Sequence, residues 1–277
     1  MAGLSIVVCL APDSSADLVT AIDTAMAPFE AAQGFAPERD QWFRWSVEGG
    51  SDGHGFRILP GQEDDPRLVH DQAHRRDGPR PSLPGMCAGG PRGLLDLAGP
   101  RAEAAAAAAQ VWDLFHRLPA ELPAALPLEH FVALPENQLP RPPVVVGADG
   151  IPFAPDPGRR RAERQYRAQP LLRHLHDALF FTAGAVGQWP EILPWFSLDR
   201  EQYVARRVEE TRRPSELLTL DGWWVELGYP PVHGSCESLD DCPHRAGRTQ
   251  PWTRADMAAY LEGLSEDIII VRLRGRV

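Results

Sequence analysis

Two apolar runs at opposite ends of the chain constrain its fold more than anything between them. Leu4, Ile6, Val8 and Leu10 alternate with Ser5, Val7, Cys9 and Ala11. The first run is therefore apolar on both faces and reads as a strand central in a sheet. Ile268-Ile-Ile-Val-Arg-Leu273 reads as a second strand. Each has a helix beside it. Ser14 or Ser15 can cap a helix with Leu18, Ile22, Met26 and Phe29 on one stripe, and Asp256 to Leu264 reads as a helix entering the last strand. A strand-helix unit at each end predicts that both termini share one sheet.

Between the ends, proline and glycine divide the chain. Trp42 to Val47 alternates aromatic and polar residues, Gly49 to Gly55 is a glycine-rich loop, and Phe56 to Leu59 is a short apolar run, which gives an opening β-α-β-β. Pro60, Pro66, Pro79, Pro81, Pro84 and Pro91 then break up residues 61–100. Only Pro66 to Arg76 can make a helix there, and the rest is expected to be loop or connection. After Pro100, Glu103, Ala104 to Ala109, Val111, Trp112, Leu114 and Phe115 predict a strong helix, ended by Pro119. A short helix is expected over Leu128 to Leu134, and a hairpin over Val144 to Phe153, turning near Asp149-Gly150 with Pro152 on an edge. A helical region from Arg160 to Ala183 is interrupted at Pro170, and Leu171, Leu172, Leu175, Leu179 and Phe180 give it a buried face. The next helix is capped by Asp199, with Gln202 three residues on, and turns Tyr203, Val204 and Val208 inward. Leu217 to Leu227 is a hairpin whose Asp221-Gly222 pair supplies positive φ angles.

The predicted class is α+β. A mixed sheet forms from the N- and C-terminal segments, 1–60 and 215–277, with 61–100 as a connection and 101–214 as a largely helical insertion. At 277 residues and 43% hydrophobic, the chain is long enough for one elaborated core or two small ones.

Charge narrows the partners. A formal net charge of −10 argues against a general nucleic-acid binder, which needs a net or strongly clustered positive surface. All 28 basic residues are arginine, which with the alanine and proline content points to a high-GC bacterial genome rather than to a function. Four cysteines in this length do not make a disulfide framework, so a reducing, cytoplasmic compartment is expected. The apolar run at Leu4 lacks a basic preceding region, and Val8 rather than a small residue precedes Cys9, so it reads as a strand and not as a signal. No stretch approaches the roughly 20 apolar residues of a membrane helix, and no membrane association is expected.

Ala27-Pro28-Phe29 at a helix end, the aromatic strand Trp42-Phe-Arg-Trp45 leading to Gly49-Gly50, Leu217-Leu-Thr-Leu-Asp-Gly-Trp223, Trp252 through Leu264-Ser-Glu-Asp-Ile268, and Cys87-Ala-Gly-Gly-Pro-Arg-Gly-Leu-Leu95 form a set of segments. Together they resemble a family of uncharacterised proteins of actinobacteria and their phages. The chain departs from that pattern at Ser51-Asp52, where the family has an Arg-Trp pair, and at Arg272-Leu-Arg-Gly-Arg276. The resemblance implies an organisation and no catalytic residue.

The most chemical feature is His233-x2-Cys236-x5-Cys242-x-His244, four zinc-type ligands within twelve residues. Four protein ligands make a closed, structural site. The spacing is not that of a standard finger, and two reduced thiols or a local disulfide are the competing explanations. A catalytic zinc would need an open position and a base such as Asp240 or Asp241.

Other clusters are weaker. His174-x-His176-Asp177 reads as a solvated helix flank, and His70 with His74, beside Asp71, as one face of a surface helix. Arg159, Arg160, Arg161, Arg164, Arg167 and Arg173, opposed by Glu163, form the concentrated basic segment. It suits nucleic acid or an acidic partner, with Tyr166 available for stacking and Arg206, Arg207, Arg212 and Arg213 as extensions, or it is a solvated face. Gly85 to Gly93 matches neither a P-loop nor a dinucleotide fingerprint, and Cys87 would need His54 or His116 as a base, so the loop reads as structural. Trp189, Trp195, Phe196, Trp223 and Trp224 read as core or interface aromatics, with one of the adjacent pair Trp223 and Trp224 facing outward. Taken together, the residues point to a non-catalytic accessory or binding protein with a structural zinc site and a possible protein partner. A zinc-dependent hydrolase, or a nucleic-acid or acidic-partner binder acting through Arg159 to Arg173, are the alternatives.

Overall fold

A computed structural model describes residues 3–29, 44–71, 81–117, 122–140, 145–146, 152–153, 156–179, 193–211, 216–234, 243–245 and 250–276. The contacts divide the chain into two units, one made of residues 1–100 and 212–277, the other of 101–211. The fold is α+β, with a mixed sheet contributed by the two ends of the chain.

In the first unit the terminal runs pair directly. Strand β1 (Gly3–Leu10) lies antiparallel to the last strand (Ile269–Arg276), from Gly3 opposite Arg276 to Leu10 opposite Ile269. On its other side β1 pairs in parallel with the strand Glu216–Leu218. Helix α1 (Leu18–Met26) follows β1, and its cap is Asp17, whose carboxylate accepts from the Thr20 amide at 3.2 Å. Ser14 and Ser15, the expected caps, belong to a preceding 3-10 turn over Pro12–Ala16. Strand β2 (Arg44–Val47) adds to the last strand and β3 (Phe56–Ile58) does not. Instead β3 joins a small second sheet with β4 (Met86–Cys87) and β6 (Leu95–Asp96), while β5 (Gly89–Pro91) pairs with the last strand beside β2.

The described residues 61–71 and 81–100 thus carry more strand pairing than their prolines suggest. The helix expected from Pro66 does not form over the described residues 66–71. Val69 makes an isolated bridge with Gly89, and its amide and carbonyl are spent on Gly89 and Ala88 at 2.8 Å each. Gly89 explains why β5 can lie so close to the last strand. A Cβ there would sit 2.2 Å from the Ile270 carbonyl oxygen.

The second unit opens with α2 (Gly99–His116) and continues through α3 (Leu128–Val132), a two-strand ladder of β7 (Val145–Val146) and β8 (Pro152–Phe153), α4 (Pro157–Arg167), α5 (Pro170–Leu179) and α6 (Arg200–Thr211). The break at Pro170 falls where expected. The hairpin expected over Val144 to Phe153 pairs Val146 with Pro152, and its turn lies outside the described residues. Val111, Leu128, Tyr166, Leu172, Leu175 and Tyr203 are buried in its core, where Phe196 stacks on Phe115 at 3.9 Å.

The chain then returns to the main sheet with β9 (Glu216–Leu218), β10 (Trp223–Glu226) and β11 (Val232–His233), enters α7 (Arg254–Gly263) through a capping box made by Thr253 and Asp256, and closes on β12 (Ile269–Arg276). The strand order is β11-β10-β9-β1-β12-β2, with β5 also on β12. Both faces of this sheet are covered. Ile6, Val8, Leu10, Val271 and Leu273 pack with Ile22, Met26 and Phe29 on one side, and Val7, Cys9, Leu217 and Ile270 pack with Met257 and Leu261 on the other. That is why β1 is apolar throughout Ile6 to Leu10. Trp223 and Trp224 divide between the two cores and are 3% and 5% exposed, so the expected outward ring is buried as well. Among the described residues no helix is long and apolar enough to cross a membrane.

Candidate metal centre

The hairpin between β9 and β10 builds one wall of the candidate site. Asp221-Gly222 in sequence suggests a two-residue turn with two positive φ angles, but only Gly222 takes one, at +81°. The loop has three residues, closed by the Thr219 amide on the Trp223 carbonyl at 2.9 Å and the Gly222 amide on the Thr219 carbonyl at 3.1 Å. A residue in the left-handed region ending a three-residue loop is the usual alternative to the two-residue turn. Side chains reinforce it. Thr219 Oγ1 accepts from the Trp223 amide at 2.9 Å and donates to Asp221 at 2.7 Å, and Tyr260 Oη accepts from the Leu220 amide at 2.8 Å.

This rigid turn holds His233. The ring nitrogen Nε2 lies 3.0 Å from the Asp221 carbonyl oxygen, and the ring meets Trp223 edge-on at 4.8 Å. A carbonyl only accepts, so Nε2 is the donor in this contact, and in the neutral ring Nδ1 is the nitrogen left to ligate. His244, in a 3-10 turn over Pro243–Arg245, stacks on His233 with ring centres 4.2 Å apart. Gly234 is pinned between them in sequence: its amide donates to the Gly222 carbonyl at 3.0 Å, and a Cβ would come within 2.8 Å of the Phe29 ring. The outer two of the four expected ligands are therefore brought together. Cys236 and Cys242 lie outside the described residues, as do Glu237, Asp240 and Asp241. Among the described residues no group of three or more His, Cys, Asp or Glu side chains forms a metal site.

Histidine is a ligand type that zinc takes. A ligating histidine ordinarily donates its second ring N–H to a carbonyl or carboxylate, which fixes the tautomer and the ring. Asp221 does this for His233. The two rings stack at 4.2 Å with 30° between their planes, so their in-plane lone pairs run nearly side by side, and a shared ion at a Zn–N distance of about 2.0–2.1 Å would require one ring to turn.

The other expected sites resolve differently. Asp71 is buried, and its carboxylate accepts from the amides of Gly50 and Ser51, at 2.7 and 3.1 Å, and from the Ser51 hydroxyl. It clasps the glycine loop. His70 shares a hydrogen bond of 3.0 Å with Ser82 Oγ, above an open cleft of about 540 Å³ that Ile58, Glu63 and Met86 also line. Sequence spacing cannot show this, because His70 lies on no helix and His74 is outside the described residues. Both described thiols are poor nucleophiles. Burial, with the charge of Asp221, raises Cys9 above the ordinary thiol range, and burial pushes Cys87 up to about 11, against the Gly89 amide and with a smaller push from the Asp71 charge. Cys87 is fully buried, and its thiol donates to the Phe56 carbonyl at 3.7 Å.

In the second unit, Arg159, Arg160, Arg161, Arg164 and Arg167 are exposed on α4, and Arg173 and His174 on α5. Tyr166, expected to be available for stacking, is 1% exposed. Its i, i+4 neighbour Ala162 is equally buried, which fixes that face of α4 inward. Arg207 is buried and so adds nothing to a surface patch, while Arg206 is exposed and lies over the Trp195 ring at 4.1 Å. Trp189, Arg212 and Arg213 are outside the described residues.

Comparison with family models, with curated proteins and with solved structures finds no match to the chain.

Proposed function

We propose that this is a non-catalytic binding protein of a reducing, cytoplasmic setting, in which a structural zinc ion held by His233, Cys236, Cys242 and His244 staples the loop between β11 and α7. The observation that supports the zinc is the proximity of His233 and His244, whose ring centres lie 4.2 Å apart, together with the contact of His233 Nε2 to the Asp221 carbonyl. That carbonyl selects the tautomer whose Nδ1 can ligate. The loop joins the edge strand of the sheet to the helix that covers one face, so an ion there supports the fold rather than a reaction.

The non-catalytic reading is supported by how the reactive groups near the sheet are used. Cys9 and Cys87 are buried with raised pKa values, and the Asp71 carboxylate is taken up by three donors from the glycine loop. Each serves packing or loop shape.

The test is metal content and its coupling to stability. Protein purified without added zinc is expected to carry about one equivalent, to lose it in the His233→Ala variant, and to melt at lower temperature with chelator. Less than about a tenth of an equivalent, with melting unchanged by chelator, overturns the zinc assignment. Ester turnover that rises with zinc loading would instead show an open, catalytic ion.

A further inference from the structure

We propose that the outer face of α4 is a docking surface for an acidic helical segment of another protein. This rests on the binding-protein reading but not on the zinc ion. Asp156 caps the helix by accepting from the Arg159 amide at 2.7 Å, and Pro157 begins it. Gly158, Ala162 and Tyr166, at i, i+4 and i+8, are its buried face. Gly158 fixes the orientation, since a Cβ there would sit 1.9 Å from the Asn137 carbonyl oxygen. With that face locked, Arg160, Arg161, Arg164 and Arg167 are turned to solvent.

These four are neighbours on the helix surface. The spacings 160 to 164, 161 to 164 and 164 to 167 are the three- and four-residue steps that bring side chains side by side, and like charges at those steps repel. The one acid of the helix, Glu163, is engaged by Arg159 at 3.3 Å. None of the four guanidinium groups is in an ion pair among the described residues. The helix therefore holds a positive stripe about 10 Å long in a chain of net charge −10.

The stripe selects among polyanions. Single-stranded nucleic acid is bound by a basic groove combined with exposed aromatic platforms, and the aromatic of this helix is buried. A duplex carries one charge per about 1.7 Å along its whole length, so beyond the stripe its phosphates meet the field of an acidic protein, which a short acidic segment confined to the stripe does not. A partner helix with carboxylates at i, i+3, i+4 and i+7 offers acceptors at the same three- and four-residue steps that separate Arg160 from Arg164, Arg161 from Arg164 and Arg164 from Arg167, in the planar form that guanidinium groups bind two-fold.

The experiment titrates the full chain with a fluorescent helical peptide carrying glutamates at those spacings, with a peptide having glutamines in their place, and with a labelled 20-base-pair duplex, each at low and at moderate salt. The expected result is binding of the glutamate peptide that weakens with salt and falls about tenfold or more in R160Q/R161Q/R164Q. A charge-matched variant, R57Q/R67Q/R274Q, stays within about twofold of the unsubstituted protein. No preference for the glutamate peptide, an equal loss in the charge-matched variant, or tighter binding of the duplex overturns the proposal. Failure here leaves the metal measurement untouched, and absence of zinc leaves this binding intact, so the two assignments fail separately.

Discussion

Arg272 and Asp52 form a buried ion pair at the point where the last strand changes partners, with guanidinium and carboxylate 3.1 Å apart and the arginine side chain 8% exposed. The Arg272 amide donates to Ala88 next to β5, and its carbonyl accepts from Glu48 beyond β2. The same guanidinium donates to Ser5 Oγ at 3.0 Å and to the Glu48 carbonyl at 3.3 Å. One side chain thus ties the first strand, the glycine loop and the last strand. Arg272→Ala is expected to destabilise the protein by about 2–3 kcal/mol, below the usual loss for breaking a fully buried pair because Asp52 keeps contact with water. Denaturant unfolding measures it, and a loss under about 0.5 kcal/mol would show the pair to be incidental.

The same pair has a pH signature. Burial opposes ionisation of Asp52, but the His54 amide, then the charge and hydrogen bond of Arg272, hold its carboxyl below the ordinary range. A depressed folded-state pKa contributes stability that is full above the unfolded value, near pH 4, and is lost as the pH falls through the folded one. Asp52→Asn is therefore expected to flatten the loss of stability on acidification below about pH 4, and to cost stability at neutral pH. Parallel acid titrations of the two proteins by circular dichroism would refute this.

Backbone proximity gives a sharper contrast. In Gly89→Ala the new Cβ must push β5 away from the Ile270 carbonyl and the Val271 Cα, 2.2 and 2.8 Å distant, with no side chain able to yield. A loss of about 2–3 kcal/mol or more is expected. Gly263→Ala, in the last turn of α7 with open space around it, is expected to gain about 0.4–1 kcal/mol. Thermal melting of the two variants checks both signs.

These cases mark what the sequence could and could not convey. The alternation of Leu4 to Leu10 and the run Ile268 to Leu273 carried the central pairing, because a strand buried on both faces reads as a near-continuous apolar run. Pro170 carried the break between α4 and α5 because proline removes a helical hydrogen bond. Gly89 and Gly90 looked like loop residues, since a glycine that permits close strand approach is identical in sequence to one that permits a turn. Asp71 looked like a companion of His70, because its partners, the amides of Gly50 and Ser51, lie about twenty residues away and leave no periodic trace. At the candidate metal centre, spacing could nominate His233 and His244, but the carbonyl that sets the tautomer belongs to Asp221 on a neighbouring turn.

That turn carries the last prediction. Tyr260 Oη accepts from the Leu220 amide, and burial pushes the phenol up to about 12, the Leu220 amide opposing and the charges of Cys9 and Asp221 adding. An acid whose folded-state pKa is raised is held neutral by the fold, so its contribution is full below the unfolded value near 10 and is lost as the pH rises toward the folded one. Tyr260→Phe removes both the acceptor and the titration. At pH 7 it is expected to cost about 1 kcal/mol for the lost hydrogen bond. Between about pH 10 and 12 the unsubstituted protein is expected to lose stability faster than the variant, so that the two unfolding curves converge. A difference that stays constant across that range would mean that the phenol does not report on the turn that positions His233.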